Sequence, residues 1–109
     1  YVDDIVDGLI KLLKYNNSGT FNFGSNQTWS LNEVIKMIED NLERKADIRL
    51  EERAYKDVDI VLPDLNSSEE VLKWKPTTTI KDGINKTVNW YLDNKENLKN
   101  IKFKYDYEK

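Results

Sequence analysis

Cysteine and histidine are both missing from this 109-residue chain. Disulfides, thiolate nucleophiles, imidazole bases and the common zinc ligand sets are excluded with them. A site built from carboxylates alone stays open. The four glycines, Gly8, Gly19, Gly24 and Gly83, stand too far apart for any two to form a phosphate-cradling turn. No apolar run approaches the ~18 residues that a membrane span needs. The longest cluster, Leu9-Ile10-Lys11-Leu12-Leu13, is broken by Lys11. Excess positive charge is missing too. A net charge of -3 argues against binding a nucleic-acid backbone, so neither a nucleic acid nor a membrane is expected as partner.

What is present suits one soluble domain with a single core. No signal-peptide pattern is visible, and a cytoplasmic location is the expectation. Asp3 or Asp4 can cap a first helix, whose buried face would carry Ile5, Val6, Leu9, Ile10, Leu12 and Leu13. The aromatic and Val at Tyr1-Val2 read as the continuation of an upstream element, and the chain as a piece of something longer. "TFNF" alternates as a short strand, with Phe21 and Phe23 on one side. Ser30-Leu31-Asn32-Glu33 is a capping box that starts a second helix, with Val34, Ile35, Ile38 and Leu42 facing inward.

"ADIRLEE" places Ala46, Ile48 and Leu50 inward as a strand, and "VDIVLP" is a further strand ended by Pro63. A short third helix begins near Asn66 or Ser67 and carries Val71, Leu72 and Trp74 until Pro76. Thr79 caps a fourth, with Ile80, Ile84, Val88, Tyr91 and Leu92 on its inner stripe. Gly83 inside that helix predicts a close neighbour, an aromatic ring among the candidates. The expected fold is a small α/β layer of about four helices and a thin sheet of two to three short strands. Residues 1–94 form the domain, and 95–109 a tail that alternates aromatics with charges.

Tyr91 and Lys95 have the spacing of a proton-transfer pair, in which the ammonium lowers the phenol pKa. Tyr105 and Lys109 repeat the spacing. Neither pair comes with a Gly-rich turn, and Tyr91 continues the Ile84–Val88 stripe, so its ring reads as core. Trp29, Trp74 and Trp90 likewise read as packing rather than a stacking platform. Arg53, with Asp57, Asp59 and Asp64 after it, could line a binding loop. An Arg four residues before an Asp can offer both a phosphate clamp and a hydroxyl acceptor. A surface loop with ion pairs fits the same residues.

"VLKWKPTTTIKDGINKTVNWYLDN" resembles the C-terminal signature of extended short-chain dehydrogenase/reductases acting on nucleotide sugars, the NAD-dependent epimerase/dehydratase family. The family's Leu-Gly-Trp-x-Pro stands here as Leu72, Lys73, Trp74 and Pro76. Its capped helix follows as Thr79, Asp82-Gly83 and Thr87-Val88-Asn89-Trp90-Tyr91. "YVDDIVDGLIKLL" is similar to its Tyr/His-Val-x-Asp helix start, with Asp4 as the Asp. "GTFNFGSNQTWSLNEVIKMI" resembles its Tyr-Asn-Ile-Gly strand and Ser-capped helix. "RAYKDVDIVLPDLNSSEE" resembles its Arg-Pro-Gly-Asp-Val segment.

The resemblance covers about residues 1–94 and is nearest to UDP-glucuronate and UDP-glucose 4-epimerases, with dTDP-glucose 4,6-dehydratases close behind. It implies a substrate-binding subdomain whose NAD sits in a separate N-terminal Rossmann domain, absent from this chain with the catalytic Tyr-x-x-x-Lys. It implies a nucleotide diphosphate sugar as ligand, a homodimeric parent, and an inactive isolated fragment. Arg53 would contact the diphosphate and Asp57 would accept from the ribose hydroxyl. The family spacing between these two is three; here it is four, and Ala54-Tyr55-Lys56 replaces Pro-Gly. A non-catalytic assembly module is the rival reading.

Overall fold

The computed structural model describes residues 1–52 and 58–99. Five helices occur there: α1 (Val2–Leu13), α2 (Leu31–Leu42), α3 (Asn66–Glu70), α4 (Ile80–Asp93) and α5 (Lys95–Leu98). The helix starts at Ser30 and Thr79 follow the sequence. The Ser30 amide donates to Glu33 Oε2 at 2.8 Å, and the Glu33 amide donates to Ser30 Oγ at 3.3 Å. Both arms of the capping box are thus made, and the Ser30 bonds hold the Glu33 carboxyl below its ordinary pKa. The Asp82 amide donates to Thr79 Oγ1 at 3.1 Å at the start of α4. In α1 neither expected acid is the cap: the helix begins after Tyr1, and Asp3 and Asp4 lie in its first turn.

The expected sheet is overturned. Among the described residues there is no strand, and the architecture is helices joined by extended, unpaired segments. Residues 20–23 show why alternation alone misleads. A strand needs a neighbour to take its backbone groups, and here the Asn22 carbonyl accepts the Ser68 hydroxyl at 2.5 Å instead. The Asn22 side-chain amide donates to the Asp64 carbonyl at 2.9 Å. Phe21 and Phe23 do face the interior, but they meet single aromatic rings rather than a sheet face. Phe23 packs edge-on to Trp74 at 4.8 Å, and Tyr15 edge-on to Phe21 at 5.3 Å. Ile48 and Leu50 do not point inward; Leu50 is 94% exposed.

Leu65, Leu72 and Trp74 form the core, flanked by Leu12, Tyr15, Phe21 and Phe23. Helix α3 ends at Glu70, so Leu72 and Trp74 reach that core from the turn after it. A second packing unit sets α2 against α4, with Val88 buried and Ile80 and Ile84, on the preceding turns of the same stripe, half-buried. The stripe expected on α1 is displaced. Its buried positions are Asp4 and Gly8, while Val2, Val6, Leu9, Ile10 and Leu13 stand exposed. Of the three tryptophans only Trp74 is buried; Trp29 and Trp90 are largely exposed. No helix among the described residues is long and apolar enough to cross a membrane.

Candidate functional site

Two features organise the molecule: a polar lock on α1 and an apolar groove beside it. The lock is built on Asp4, one turn into α1. Its carboxylate accepts three hydrogen bonds, from the Thr77 amide (3.0 Å), the Thr77 hydroxyl (2.9 Å) and the Thr78 amide (3.3 Å). Its backbone carbonyl accepts from Trp74 Nε1 at 2.8 Å. Burial alone would raise the Asp4 pKa, but the bonds from Thr77 and Thr78 outweigh it and hold the carboxyl far below its usual range. Asp4 therefore joins the first turn of α1 to the segment that leads into α4, seventy-odd positions away.

Lys73 shapes the same turn. Its backbone has φ 52°, in the left-handed region, and Lys11 Nζ donates to its carbonyl at 3.0 Å. This is the position where the family pattern has Gly, the residue that occupies such a φ without steric cost. The substitution noted in the sequence therefore has a conformational consequence.

The groove, about 760 Å³ in volume, runs between α2 and α4. Ile38 and Leu42 form one wall and Ile84, Val88 and Leu92 the other; Trp29 and Tyr1 lie at its margins. Tyr91 and Lys95 both line it, and Tyr91 is 53% exposed, its ring edge-on to Trp90. The reading of Tyr91 as a core residue is corrected: with neighbours on one side only, its ring forms part of an open wall. Among the described residues no cluster of three or more Asp, Glu, His or Cys could hold a metal ion.

Arg53 and Asp57 lie outside the described residues; Asp59 and Asp64 are exposed. The Asp4 lock, by contrast, is not foreseen from the sequence, because its halves stand more than seventy positions apart. The only available signal was a Thr run unmatched by any other role, because the apolar pattern of α1 puts Asp4 on the side opposite the stripe that the sequence marks for burial.

Comparison with known proteins agrees in one direction. The chain is 34% identical over 88% of its length to an uncharacterised protein of Methanocaldococcus jannaschii, covering 30% of that protein. It is 32% identical over 94% of its length to a UDP-glucuronate 4-epimerase of Thermodesulfobacterium geofontis, covering 32% of it. It is 30% identical over 77% of its length to UDP-glucuronic acid decarboxylase 3 of Arabidopsis thaliana, covering 25% of it. The chain thus spans about a third or less of the length of these curated relatives. No protein-family model matches the chain, and no solved structure does.

Proposed function

Because this chain belongs to the NAD-dependent epimerase/dehydratase family of nucleotide-sugar enzymes, we propose that it is the nucleotide-sugar-binding C-terminal part of such an enzyme, a 4-epimerase by preference. The observation that carries this reading is the 32% identity to a UDP-glucuronate 4-epimerase across 94% of the chain. In the parent, NAD held by a separate N-terminal Rossmann domain takes a hydride from C4 of the sugar and later returns it. This chain's share is binding. Arg53 makes charge-assisted bonds to the diphosphate, where a guanidinium fork matches paired oxygens. Asp57 accepts from a ribose hydroxyl.

The exposed apolar row of α1, Val2, Val6, Leu9, Ile10 and Leu13, supports the same reading. An apolar face of that kind marks a contact surface, and the Rossmann domain is its proposed cover. The Asp4 lock then matters for function indirectly, because it fixes the face of α1 relative to α4. We place the parent in the cytoplasm, as a homodimer.

A second reading within the family is decarboxylation, favoured by relatives named UDP-glucuronic acid decarboxylases in Arabidopsis thaliana and Xenopus tropicalis. Incubating the full-length protein with UDP-glucuronate separates the two. The epimerase gives a product of unchanged mass with inverted C4, whereas the decarboxylase releases carbon dioxide and leaves a UDP-pentose. Parallel assays with UDP-glucose and dTDP-glucose cover the other epimerase and the 4,6-dehydratase. Turnover of none of these, with no NAD bound, would overturn the proposal in favour of an assembly module.

A further inference from the structure

The groove between α2 and α4 has the size and lining of a small-molecule site. Its volume of about 760 Å³ falls within the range of about 300–1,000 Å³ that such pockets occupy. Ile38 and Leu42 form the α2 wall, and Ile84, Val88 and Leu92 the α4 wall. The α4 side, from Ile80 to Leu92, runs about 18 Å, which suits a single extended hydrocarbon chain. Leu92 is 53% exposed, Leu42 38% and Ile38 37%, so apolar surface stands ready to be covered. The hydroxyls of Thr79 and Thr87 are engaged within their own helix start and helix. Thr79 Oγ1 donates to Asp82 Oδ2 at 2.6 Å, and Thr87 Oγ1 donates to the Gly83 carbonyl at 2.7 Å.

One charge interrupts this lining. Among the described residues along the groove, Lys95 alone carries a charged side chain, at the point where α4 gives way to α5. Its ammonium makes no ion pair with a described acid, and the adjacent Glu96 is taken by Lys99 at 2.6 Å. The negative end of α4 beside it is muted as well. The Trp90 carbonyl already accepts the Asn94 amide at 3.0 Å and the Asn94 side-chain amide at 2.9 Å. An ammonium without a carboxylate, at the end of a groove lined by hydrocarbon, complements a molecule of matching pattern: one apolar chain and one anionic head.

We propose that the α2–α4 groove binds a single-chain carboxylate amphiphile, its hydrocarbon laid along Ile38, Leu42, Ile84 and Leu92 and its carboxylate on the Lys95 ammonium. Such a ligand differs in chemistry from a nucleotide sugar, and the site does not depend on which reaction the parent performs.

The test titrates dodecanoate, kept below its micelle concentration, into the full chain by calorimetry. Dodecyltrimethylammonium serves as the probe of similar chain and opposite charge. Dodecanoate is expected to bind once per chain and about fivefold tighter than the cation, the factor that one partly exposed ion pair supplies. Lys95→Met should abolish that preference and Lys95→Arg should keep it, both with unchanged helical circular dichroism. Leu92→Ser should weaken both probes alike. Absence of saturable dodecanoate binding would overturn the proposal, as would a preference that survives Lys95→Met. Displacement of dodecanoate by UDP-glucuronate would also overturn it, by making the groove part of the nucleotide-sugar site.

Discussion

Trp74 Nε1 donates to the Asp4 backbone carbonyl at 2.8 Å, although 70 positions separate the two residues. The indole is the most deeply buried large side chain described, at 1% exposure. Its N–H would be costly to leave unpaired there, and a carbonyl in the first turn of α1 satisfies it. The same residue's carboxylate takes the Thr77 and Thr78 donors. One residue thereby closes both the indole and the turn before α4. Asp4→Ala removes only the carboxylate, leaving the Trp74 bond and orphaning the Thr77 and Thr78 donors. It is expected to cost about 2–3 kcal/mol, read from the denaturant midpoint at neutral pH.

The pH dependence of that loss has a definite sign. The folded state holds the Asp4 carboxyl below the value of about 3.9 that it takes in an unfolded chain. Its contribution is complete above the unfolded value and is lost as the pH falls toward the lower folded one. Asp4→Asn cannot titrate, so the stability gap between parent and variant should be constant near neutrality and shrink below about pH 4. Glu33 and Glu39, also held low by their hydrogen bonds, are present in both proteins and cancel. A gap that widens on acidification would contradict the assignment.

Two glycines give opposite expectations. A Cβ on Gly8 would lie 2.7 Å from Phe23 Cε1 and 3.1 Å from Trp74 Nε1. Both rings are held by their edge-on contact, so neither can retreat freely. Gly8→Ala should destabilise by about 1–3 kcal/mol. A Cβ on Gly83 would meet Tyr1 Cβ at 3.5 Å and Thr78 Cγ2 at 3.8 Å, which is ordinary contact. The aromatic neighbour expected at Gly83 is real, but it leaves room for a methyl group. Gly83→Ala should therefore stabilise α4 by about 0.5–1 kcal/mol, and thermal melts of the two variants should shift in opposite directions.

Lys73 offers a gain rather than a loss. Its left-handed backbone costs an L-residue about 1 kcal/mol relative to glycine. Its carbonyl, which accepts from Lys11, is retained in Lys73→Gly. That variant should melt higher than the parent. A lower melting temperature would mean that the Lys73 side chain makes a contact stronger than the strain it carries.

Local signals were legible in the sequence because their physics is local. The Ser30–Glu33 box and the Thr79 cap need only three neighbouring residues, and both form where the pattern placed them. The sheet was not legible. The alternation of Phe21 and Phe23 is satisfied by Trp74 and Tyr15, and the Asn22 carbonyl is taken by Ser68, 46 positions away. Alternation reports which side chains want burial, not which backbone will supply the hydrogen bonds. The Asp4 lock was hidden for a related reason: an acid after a helix start reads locally as a cap, while its partners lie at the far end of the chain. Arg53 and Asp57 rest on the family pattern alone.

Tyr91 remains the sharpest test of the proposed function. With Lys95 it lines the groove and keeps the spacing of a proton-transfer pair, so geometry alone does not discard it. Its surroundings are the walls of α2 and α4, and its closest ring contact is Trp90, edge-on at 5.3 Å. A phenol that donates its proton to substrate cannot be replaced by Phe without losing that transfer, whereas a wall ring keeps nearly all of its packing. Tyr91→Phe in the full-length protein should therefore leave turnover of UDP-glucuronate within about threefold of the parent, since general acid–base transfer contributes about 10²–10⁴-fold where it operates. Stability should change by no more than about 0.5 kcal/mol, because the hydroxyl lies on a half-exposed ring. A thousandfold loss of turnover with the fold intact would make Tyr91 the catalytic phenol and move the reacting centre into this chain.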